Sequence, residues 1–557
     1  MSAKTKAAFA IAWGLHIAWV ILLASVPPVS RDAMTHHLAV PRLWIERGLL
    51  AELPEISFSY YPQLLDVLYM LPLYAGVDFA AKYLHFAFAL MTAGLIYLFV
   101  RRRIGAAWGA LAGLMFLTIP VILKLSVTVY VDLGLIFFSA GALFAMVLWL
   151  EDTRRYKWLL IAAVCSGLAL STKYSALISF FVMSLALPLF FLKDSGDGVR
   201  AQANAVKFGA LFVLVSLLVF SPWMIRNASL TGNPMYPLLQ GVFGHRVTDA
   251  ANVDSDAVVH ASVVVDEQLR NQPKSMSPLL IRKLVYEESL PYTLFIPVRI
   301  FYEGQDNDPK YFDGRLNLLL LLLPLALLFT TRQIRFEQKE LPLFAAYVVL
   351  VVMLTFLTKD MRARWISAII PPLVVLSVYS LYLLNELMAK RYPVKNAVHP
   401  ATIVIVALYF LPNLFYSLDL YRKIDPLPVV SGQVSRDAYI SERRPEYAVI
   451  SAANDAVPDD GKVLGLFIGK RRYFFDVDAI VLNEVFTSIA ENAASAADIA
   501  GRLRALGYTH IVTNNHLFGE WMTRTDEATR RRVGNFATQH VNELHAVGTY
   551  GLYEIID

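Results

Sequence analysis

The sequence predicts an α-helical polytopic membrane protein that carries a soluble α/β domain at its C-terminus. The chain has 557 residues, 57% of them hydrophobic, and its mean hydropathy is +0.50. Eleven apolar stretches alternate with six short basic clusters along most of the chain. A soluble protein of this size could not cover so much apolar surface, so lipid must cover it.

The apolar stretches give the predicted spanning helices. The first stretch is followed by Pro27-Pro28 and lacks a small-residue cleavage site, so we expect a retained helix rather than a signal peptide. Spans of about 20 residues are needed to cross a bilayer. The eleven predicted spans are residues 8–27, 79–100, 105–123, 128–150, 157–171, 174–192, 207–227, 315–331, 340–358, 364–386 and 400–419.

The basic clusters predict the orientation. If the N-terminus is cytoplasmic, every cluster falls in an inside loop, as the positive-inside rule requires, and a nucleic-acid partner is not indicated. The outer loops between spans three and four and between five and six hold one lysine each, Lys124 and Lys173. The clusters are Lys4/Lys6, Arg101–Arg103, Arg154/Arg155/Lys157, Lys193/Arg200/Lys207, Arg332/Arg335/Lys339 and Lys390/Arg391/Lys395.

The predicted organisation is a membrane domain over residues 1–420, with long outer loops at 28–78 and 228–314, and an outer α/β domain over 421–557. We expect interfacial or loop helices at 38–49 and 277–288. In the tail, 463–468 and 510–512 are predicted strands, and 497–506 is a predicted helix ended by Gly507. The tail has no glycine-rich phosphate loop and no metal-ligand spacing, so we expect it to act as a cap or an acceptor-docking module.

Two carboxylates are candidate catalytic groups. Asp32 follows the first span at the outer interface, where it can take a proton from an acceptor hydroxyl or simply end a helix in solvent. Asp132 stands near the start of span four, where the helix macrodipole alone would favour an acid.

Five cations on the predicted outer face indicate an anion site. Lys173 lies between two apolar helices with almost no loop, and Arg226 lies at the outer end of span seven. Lys359, Arg362 and Arg364 break the positive-inside rule before span ten. A single outer arginine is usually an interfacial anchor, but five cations from three loops favour phosphate binding, for which the arginine fork is well suited.

Histidines and tyrosines near these charges are candidate substrate-pocket residues. They could equally be polar packing or the aromatic belt of a membrane protein. They are His36, His37, Tyr60, Tyr61 and Tyr174. The single cysteine, Cys165, lies in an apolar stretch and excludes a disulfide framework or a thiolate metal site.

The order of these motifs resembles a known superfamily. After Asp32 come 35–44 (Thr-His-His-Leu-Ala-Val-Pro-Arg-Leu-Trp), Tyr60-Tyr61-Pro62, Thr172-Lys173-Tyr174, Pro222-Trp223 with Arg226-Asn227, and Gly232-Asn233-Pro234. Together they resemble the GT-C superfamily of integral-membrane glycosyltransferases. The similarity, over roughly residues 1–390, is greatest to the bacterial branch related to protein O-mannosyltransferases and the aminoarabinose transferase of lipid A.

The resemblance implies an inverting transfer of a sugar from a polyprenyl-phosphate donor to an acceptor lipid, glycan or protein, on the periplasmic side of a bacterial inner membrane. It places Asp32 at the first-loop catalytic aspartate, Asp132 at the second-loop acid, and Lys173, Arg226 and Arg364 at the lipid phosphate. The sequence departs from the pattern at Ala33, where the mannosyltransferase branch has a second acid. It has no Asp-x-Asp motif in the second loop, next to Asp132, and no Trp-Trp-Asp motif in the tail, which argues against an oligosaccharyltransferase. We therefore expect no required cofactor, although a divalent metal stays open.

Three other functions remain open on sequence grounds. A transporter or flippase for lipid-linked glycans would need polar groups along a path through the membrane, whereas the ionisable residues gather on one face. A glycan ligase or polymerase would use a diphosphate-linked donor. A scaffold would act through the outer domain alone. The sequence leaves the sugar, the acceptor, the lipid length and the oligomeric state undefined.

Overall fold

The computed structural model describes residues 2–196, 198–243, 277–330, 340–393 and 398–557. Predictions for Arg332, Arg335, Lys339 and Lys395 therefore lie outside the described residues. The side chains of residues 328–330 are also outside the description.

Over the described residues, each of the eleven predicted spans is largely helical. Among the described residues, eight helices are long and apolar enough to cross a membrane, and a ninth span results if one bent pair is counted. The protein is thus a multi-pass membrane protein, as predicted. The helices of this domain are α1 (Ala3–Ala24), α2 (Ala39–Arg47), α3 (Leu64–Tyr74), α4 (Ala80–Ile104), α5 (Ala106–Leu117), α6 (Pro120–Ser126), α7 (Asp132–Glu151), α8 (Tyr156–Thr172), α9 (Ala176–Ser195), α10 (Val199–Thr231), α11 (Gln240–Phe243), α12 (Pro278–Leu284), α13 (Leu290–Leu294), α14 (Ile296–Arg299), α15 (Leu319–Thr330), α16 (Glu340–Thr358), α17 (Ile370–Arg391) and α18 (Pro400–Ile424).

Two predicted spans differ from the structure in a way that matters for the outer face. Span 105–123 is not one helix, because α5 and α6 meet at 69° where Pro120 begins α6. Span 364–386 begins later than predicted: Arg362 and Arg364 do not open a helix but lie in a loop, followed by the 3₁₀ turn Ser367–Ile369 and then α17. Both cations therefore lie at the end of the helical bundle that the sequence predicts to be its outer face.

The first outer loop is built mostly of short helical elements. A π-helical turn, Ala33–His37, leads into α2, which matches the predicted helix at 38–49, and a 3₁₀ turn, Ser57–Tyr60, precedes α3. In the second loop, α12 occupies the first part of the predicted helix at 277–288. The described parts of both loops lie at the same end of the helical bundle.

The tail forms a five-stranded mixed sheet with helices around it. Strand order is β2-β1-β3-β5-β4; β1 is parallel to both β2 and β3, whereas β5 is antiparallel to β3 and β4. The predicted strands correspond to β1 and β3 and the predicted helix to α23. The elements are α19 (Pro426–Val430), α20 (Arg436–Arg443), α21 (Glu446–Ala456), β1 (Lys462–Leu466), β2 (Asp478–Val481), α22 (Asn483–Asn492), α23 (Ala496–Ala505), β3 (His510–Asn514), α24 (Asn515–Arg524), α25 (Glu527–Gln539), β4 (Val541–Val547) and β5 (Tyr550–Ile555).

The tail packs on the first outer loop rather than standing free. Val463, Phe475 and Val512 belong to the same apolar core as the helical bundle, while the other face of the sheet has its own core. Asp78 accepts hydrogen bonds from Arg436 (2.7 Å) and from the Tyr473 hydroxyl (3.0 Å). The predicted domain division at residue 420 stays a prediction, since α18 runs on to residue 424.

Candidate active site

A cavity of about 750 Å³ lies between the helical bundle and the tail. Its wall includes the π-helical turn, the junction of α8 and α9, the loop between α16 and α17, and the segment 469–482 of the tail. Nine of the predicted site residues line it: Asp32, His36, His37, Tyr61, Lys173, Tyr174, Lys359, Arg362 and Arg364. The cavity thus joins residues from separate loops that the sequence predicted on one face.

Asp32 is held in an ion pair at this cavity. Nη1 of Arg364 donates to its carboxylate at 2.9 Å, and Nη2 of the same guanidinium lies 3.3 Å from Asp313. Burial raises the pKa of Asp32, but the charge and hydrogen bond of Arg364, together with the neighbouring histidines, outweigh burial and hold that pKa below its usual range. The same environment raises the pKa of Arg364, chiefly through neighbouring acids that outweigh its burial. Asp32 is therefore an ionised carboxylate with a cationic neighbour.

The π-helical turn explains why Asp32 and both histidines face one cavity. Leu38 N–H donates to the carbonyl of Ala33, an i→i+5 bond, and such turns widen the helix and occur frequently at functional sites. The ring of His36 stacks on Phe58 at 4.4 Å between centroids. Burial lowers the pKa of His36 well below its usual value, so this ring is neutral.

Asp132 lies behind the cavity wall rather than on it. Its side chain is 0% exposed, and one carboxylate oxygen accepts a hydrogen bond from Lys173 Nζ at 2.8 Å. Within the described residues, nothing donates a hydrogen bond to its other oxygen. The structure thus brings Asp132 to Lys173 and leaves Lys173 to face the cavity.

Of the four predicted phosphate-binding cations that line the cavity, Lys359 and Arg362 are the least neutralised by acids. Both flank the ring of Trp365, at 5.8 and 5.0 Å from its centroid. Among the described residues, no carboxylate pairs with Lys359, and the nearest acid to Arg362 is Asp313 at 3.8 Å. Nε of Arg362 is buried without a hydrogen-bond acceptor in the described structure. Burial and the charge of Lys173 lower the pKa of Lys359.

Aromatic rings form another part of the wall. Tyr61 packs on Tyr174 at 5.3 Å and on Phe58 at 5.4 Å between centroids. Tyr174 is fixed by hydrogen bonds to the carbonyl of Tyr236 and to the Asn227 side chain. Burial raises the pKa of both cavity tyrosines, so they present neutral hydroxyl groups.

Arg226 and Tyr60 are not among the residues lining the cavity. Nη1 of Arg226 donates to the carbonyl of Ser59 at 3.2 Å, and its guanidinium lies 5.8 Å from the ring of Trp44. Tyr60 donates its hydroxyl proton to Glu52 at 2.7 Å. Both residues shape the first outer loop from behind the wall.

Sequence reasoning missed several residues that line the cavity or bond to its lining. Asp66 bonds to His37, and Asp313 bonds to Arg364. The tail contributes Arg472 and two residues with positive φ, Gly469 and Lys470. Burial lowers the pKa of Arg472 to about 10. The only sequence signal for the tail residues is the run 469–472 (Gly-Lys-Arg-Arg), which did not match a known phosphate loop. Asp66 and Asp313 carried no local signal.

The residues described do not group three His, Cys, Asp or Glu side chains as a metal site. Independence from a metal stays a prediction from sequence.

Comparison with known proteins agrees with this architecture. The family model for dolichyl-phosphate-mannose-protein mannosyltransferases matches residues 69–225. ArnT from Cupriavidus metallidurans, solved in the apo state and bound to undecaprenyl phosphate, is similar over 99% of this chain and 98% of its own, with 14% identity and a TM-score of 0.58. No curated protein sequence matches the chain.

A second similar structure is the oligosaccharyltransferase AglB from Archaeoglobus fulgidus, solved with an inhibitory peptide and a dolichol-phosphate. The similarity covers 98% of this chain and 74% of AglB, with 12% identity and a TM-score of 0.51. These likenesses confirm the predicted resemblance to the GT-C superfamily at the level of the fold.

Proposed function

We propose that this GT-C-fold membrane protein is an inverting glycosyltransferase. It moves a sugar from a polyprenyl-phosphate donor to an acceptor on the periplasmic face of the bacterial inner membrane. The observation that carries the proposal is a single cavity that holds an ionised carboxylate, Asp32, together with the incompletely neutralised cations Lys359 and Arg362.

The cations suit the leaving group. Breaking the bond between the sugar C1 and the phosphate oxygen increases the negative charge on the phosphate. Lys359 and Arg362 can place donors against that charge inside a site partly shielded from water, where electrostatic stabilisation is strongest. Each is expected to contribute on the order of 2–4 kcal/mol to transition-state stabilisation. Because a polyprenyl phosphate is already a good leaving group, no general acid is required.

Arg364 and Lys173 contribute charge in a different way. Each already contacts a carboxylate, so the net charge it offers the donor is smaller. A phosphate that enters beside Arg364 competes with Asp32 for the guanidinium. Donor binding thereby loosens the ion pair and makes Asp32 a better hydrogen-bond acceptor for the acceptor hydroxyl.

Asp32 is the proposed base. The attacking oxygen of a hydroxyl acceptor is a poor nucleophile until its proton is drawn away, and a carboxylate at the cavity can do this. The aromatic wall formed by Tyr61, Tyr174 and Phe58, with neutral His36, offers flat faces and hydroxyl groups of the kind that pack on a sugar ring.

The location of the cavity supports a lipid-linked donor. The cavity lies at the end of the bundle covered by the two long loops, so a polyprenyl tail can lie between helices while its phosphate reaches Lys359 and Arg362. The bound undecaprenyl phosphate of ArnT and dolichol-phosphate of AglB are consistent with such a donor. The positive-inside pattern supports the periplasmic orientation.

The test is mass spectrometry of lipid A, surface polysaccharide and envelope proteins from a strain lacking the gene. Complementation uses wild type, Asp32→Asn and Arg362→Gln at equal expression. The proposal expects a sugar-sized mass that is lost on deletion, restored by wild type, and restored at under a tenth of that level by either variant. Full restoration by both variants would show that these cavity residues are not required for the modification, and would favour a transporter or a scaffold.

A further inference from the structure

His37 and Asp66 form a buried pair at the cavity that the proposed chemistry has not used. The two residues are 7% and 2% exposed, and Nδ1 of His37 lies 2.7 Å from a carboxylate oxygen of Asp66. A carboxylate can only accept, so Nδ1 carries the proton and donates it to Asp66. His37 also lines the cavity, and Nε2 is the ring nitrogen that this bond leaves without a proton.

A histidine oriented by a carboxylate is suited to accept a proton. The carboxylate fixes the tautomer and ring position and stabilises the imidazolium that forms. In the described part of the chain, no carboxylate is hydrogen-bonded to His36, one residue earlier; its Nδ1 bonds to the Thr35 hydroxyl at 2.9 Å. Two adjacent histidines on one turn thus differ in what they can do, and His37 is the one equipped for proton transfer.

Two carboxylates lie near His37. Asp66 contacts it directly, Asp32 interacts with it electrostatically across the π-helical turn, and His36 is neutral. Two negative groups therefore face one imidazole. Among the described residues, the titratable groups around His37 include Asp66 on α3, Asp32 and His36 on the same loop, Tyr130 before α7 and His85 on α4. The cations Lys173 and Arg364 act on the adjacent ring of His36.

Asp32 alone is a poor final holder of a proton. Its ion pair with Arg364 favours the ionised carboxylate, and an imidazole is intrinsically a stronger base than a carboxylate. We propose that the proton drawn from the acceptor hydroxyl by Asp32 comes to rest on Nε2 of His37, with Asp66 as the residue that positions His37.

In the complete step, the acceptor oxygen bonds to C1 of the sugar as the bond between C1 and the phosphate oxygen breaks. The electron pair of that bond leaves with the polyprenyl phosphate, and the hydroxyl proton passes through Asp32 to His37. This inference rests on the proposed glycosyl transfer. It adds a catalytic residue, His37, and a positioning residue, Asp66.

The experiment follows the rate at which the transferred sugar mass accumulates on the envelope after induction. Cells lacking the gene express the full chain in media buffered from pH 5.5 to 8.0, and rates are normalised to protein amount in the membrane. The variants are His37→Gln and Asp66→Asn. Two further variants serve as controls: His36→Gln on the same turn, and His516→Gln on an exposed helix of the tail.

For wild type, the rate is expected to fall in acidic medium, because a protonated imidazole cannot accept a second proton. The transfer rate of His37→Gln at pH 7.5 is expected to be about 100-fold or more below that of wild type. This variant should also lack the decrease in rate in acidic medium, here called the acid fall. The transfer rate of Asp66→Asn is expected to be about 10-fold or more below that of wild type, and its acid fall should move to lower pH because the variant removes a negative charge beside His37. His36→Gln retains the position of the acid fall, and His516→Gln matches wild type.

The inference is overturned if His37→Gln keeps the wild-type pH profile, or if Asp66→Asn lowers the rate uniformly without moving the acid fall, as a purely structural role would. It is also overturned if His36→Gln, rather than His37→Gln, abolishes the fall. A wild-type strain that adds no sugar mass refutes the proposed glycosyl transfer itself and is distinguishable from all of these outcomes.

Discussion

The pair formed by Lys173 and Asp132 has a structural role and a functional role that mutation can separate. Lys173 neutralises a fully buried carboxylate, and the same lysine faces the cavity. Lys173→Met is therefore expected to damage both stability and transfer. Replacing the acid as well, in Lys173→Met/Asp132→Asn, removes the stranded charge and is expected to restore stability without restoring transfer.

The magnitude follows from the burial. Removing one partner of a buried ion pair costs about 3–5 kcal/mol. The side chain of Lys173 is 24% exposed, so some water reaches the pair and the low end applies. Without Lys173, Asp132 can also become protonated at pH 7, which costs roughly 4 kcal/mol for an aspartate with an ordinary pKa of about 3.9. We expect Lys173→Met to lose about 3 kcal/mol of unfolding free energy.

The assay is unfolding of the purified full chain in mixed micelles titrated with SDS and followed by tryptophan fluorescence. The four corners of the cycle are wild type, both single variants and the double variant, which give the coupling energy directly. The double variant should recover more than half of the loss caused by Lys173→Met. A loss below about 1 kcal/mol in Lys173→Met, or no recovery in the double variant, would refute the idea that this lysine compensates a buried charge.

The remaining predictions concern the donor site, the first loop and the tail. Lys359→Gln should weaken binding of undecaprenyl phosphate about 10-fold, as measured by native mass spectrometry, and an unchanged affinity in the variant would contradict the assignment. Because the pKa of Lys359 is lowered, this lysine loses its charge at a lower pH than an exposed lysine does. Wild-type affinity should therefore decrease at a correspondingly lower pH as the pH is raised. Arg226→Gln should lower the free energy of unfolding by about 1–3 kcal/mol. Its affinity for undecaprenyl phosphate should stay within about 2-fold of wild type, whereas a loss of about 10-fold would show that Arg226 binds the phosphate after all. Asp78→Asn should loosen the tail, since it weakens the bonds to Arg436 and Tyr473; limited proteolysis should then cut the tail faster than in wild type, and equal rates would show that this contact does not hold it.

Much of the outer face could be predicted from sequence because charge and hydropathy act locally. The lengths of the apolar stretches predicted the membrane helices. The positive-inside rule predicted that Asp32, Lys173 and Arg364 lie at one end of the bundle, and in the structure all three line one cavity. The break between α5 and α6 was missed, although Pro120 marks it, because the hydropathy of the stretch is continuous.

Partners far apart in the chain could not be predicted. Arg226 looked like the other outer cations, but its hydrogen bonds to loop carbonyls depend on how the first loop folds. Asp66 lies 29 residues from His37, and Asp313 lies 51 residues from Arg364. A sequence shows that a group can be charged, whereas tertiary packing decides which neighbour neutralises it.

Strands of the tail were predicted only where they are buried on both sides. β1 and β3 lie inside the sheet and are buried along nearly their whole length, and each contains a short apolar run. β4 is an edge strand with six exposed residues out of seven, so its sequence lacks the apolar signal of a strand.

The central claim is that a polyprenyl-phosphate-linked sugar is consumed at this cavity. The most direct measurement is quantitative mass spectrometry of the lipid-linked sugar pool and of the modified envelope fraction in the same cells. Cells with wild type should consume a monophosphate-linked donor as the sugar mass appears on the acceptor, and cells with Asp32→Asn should accumulate that donor without product. A diphosphate-linked lipid accumulating instead, or a donor pool that is unchanged while product is lost, would contradict the account.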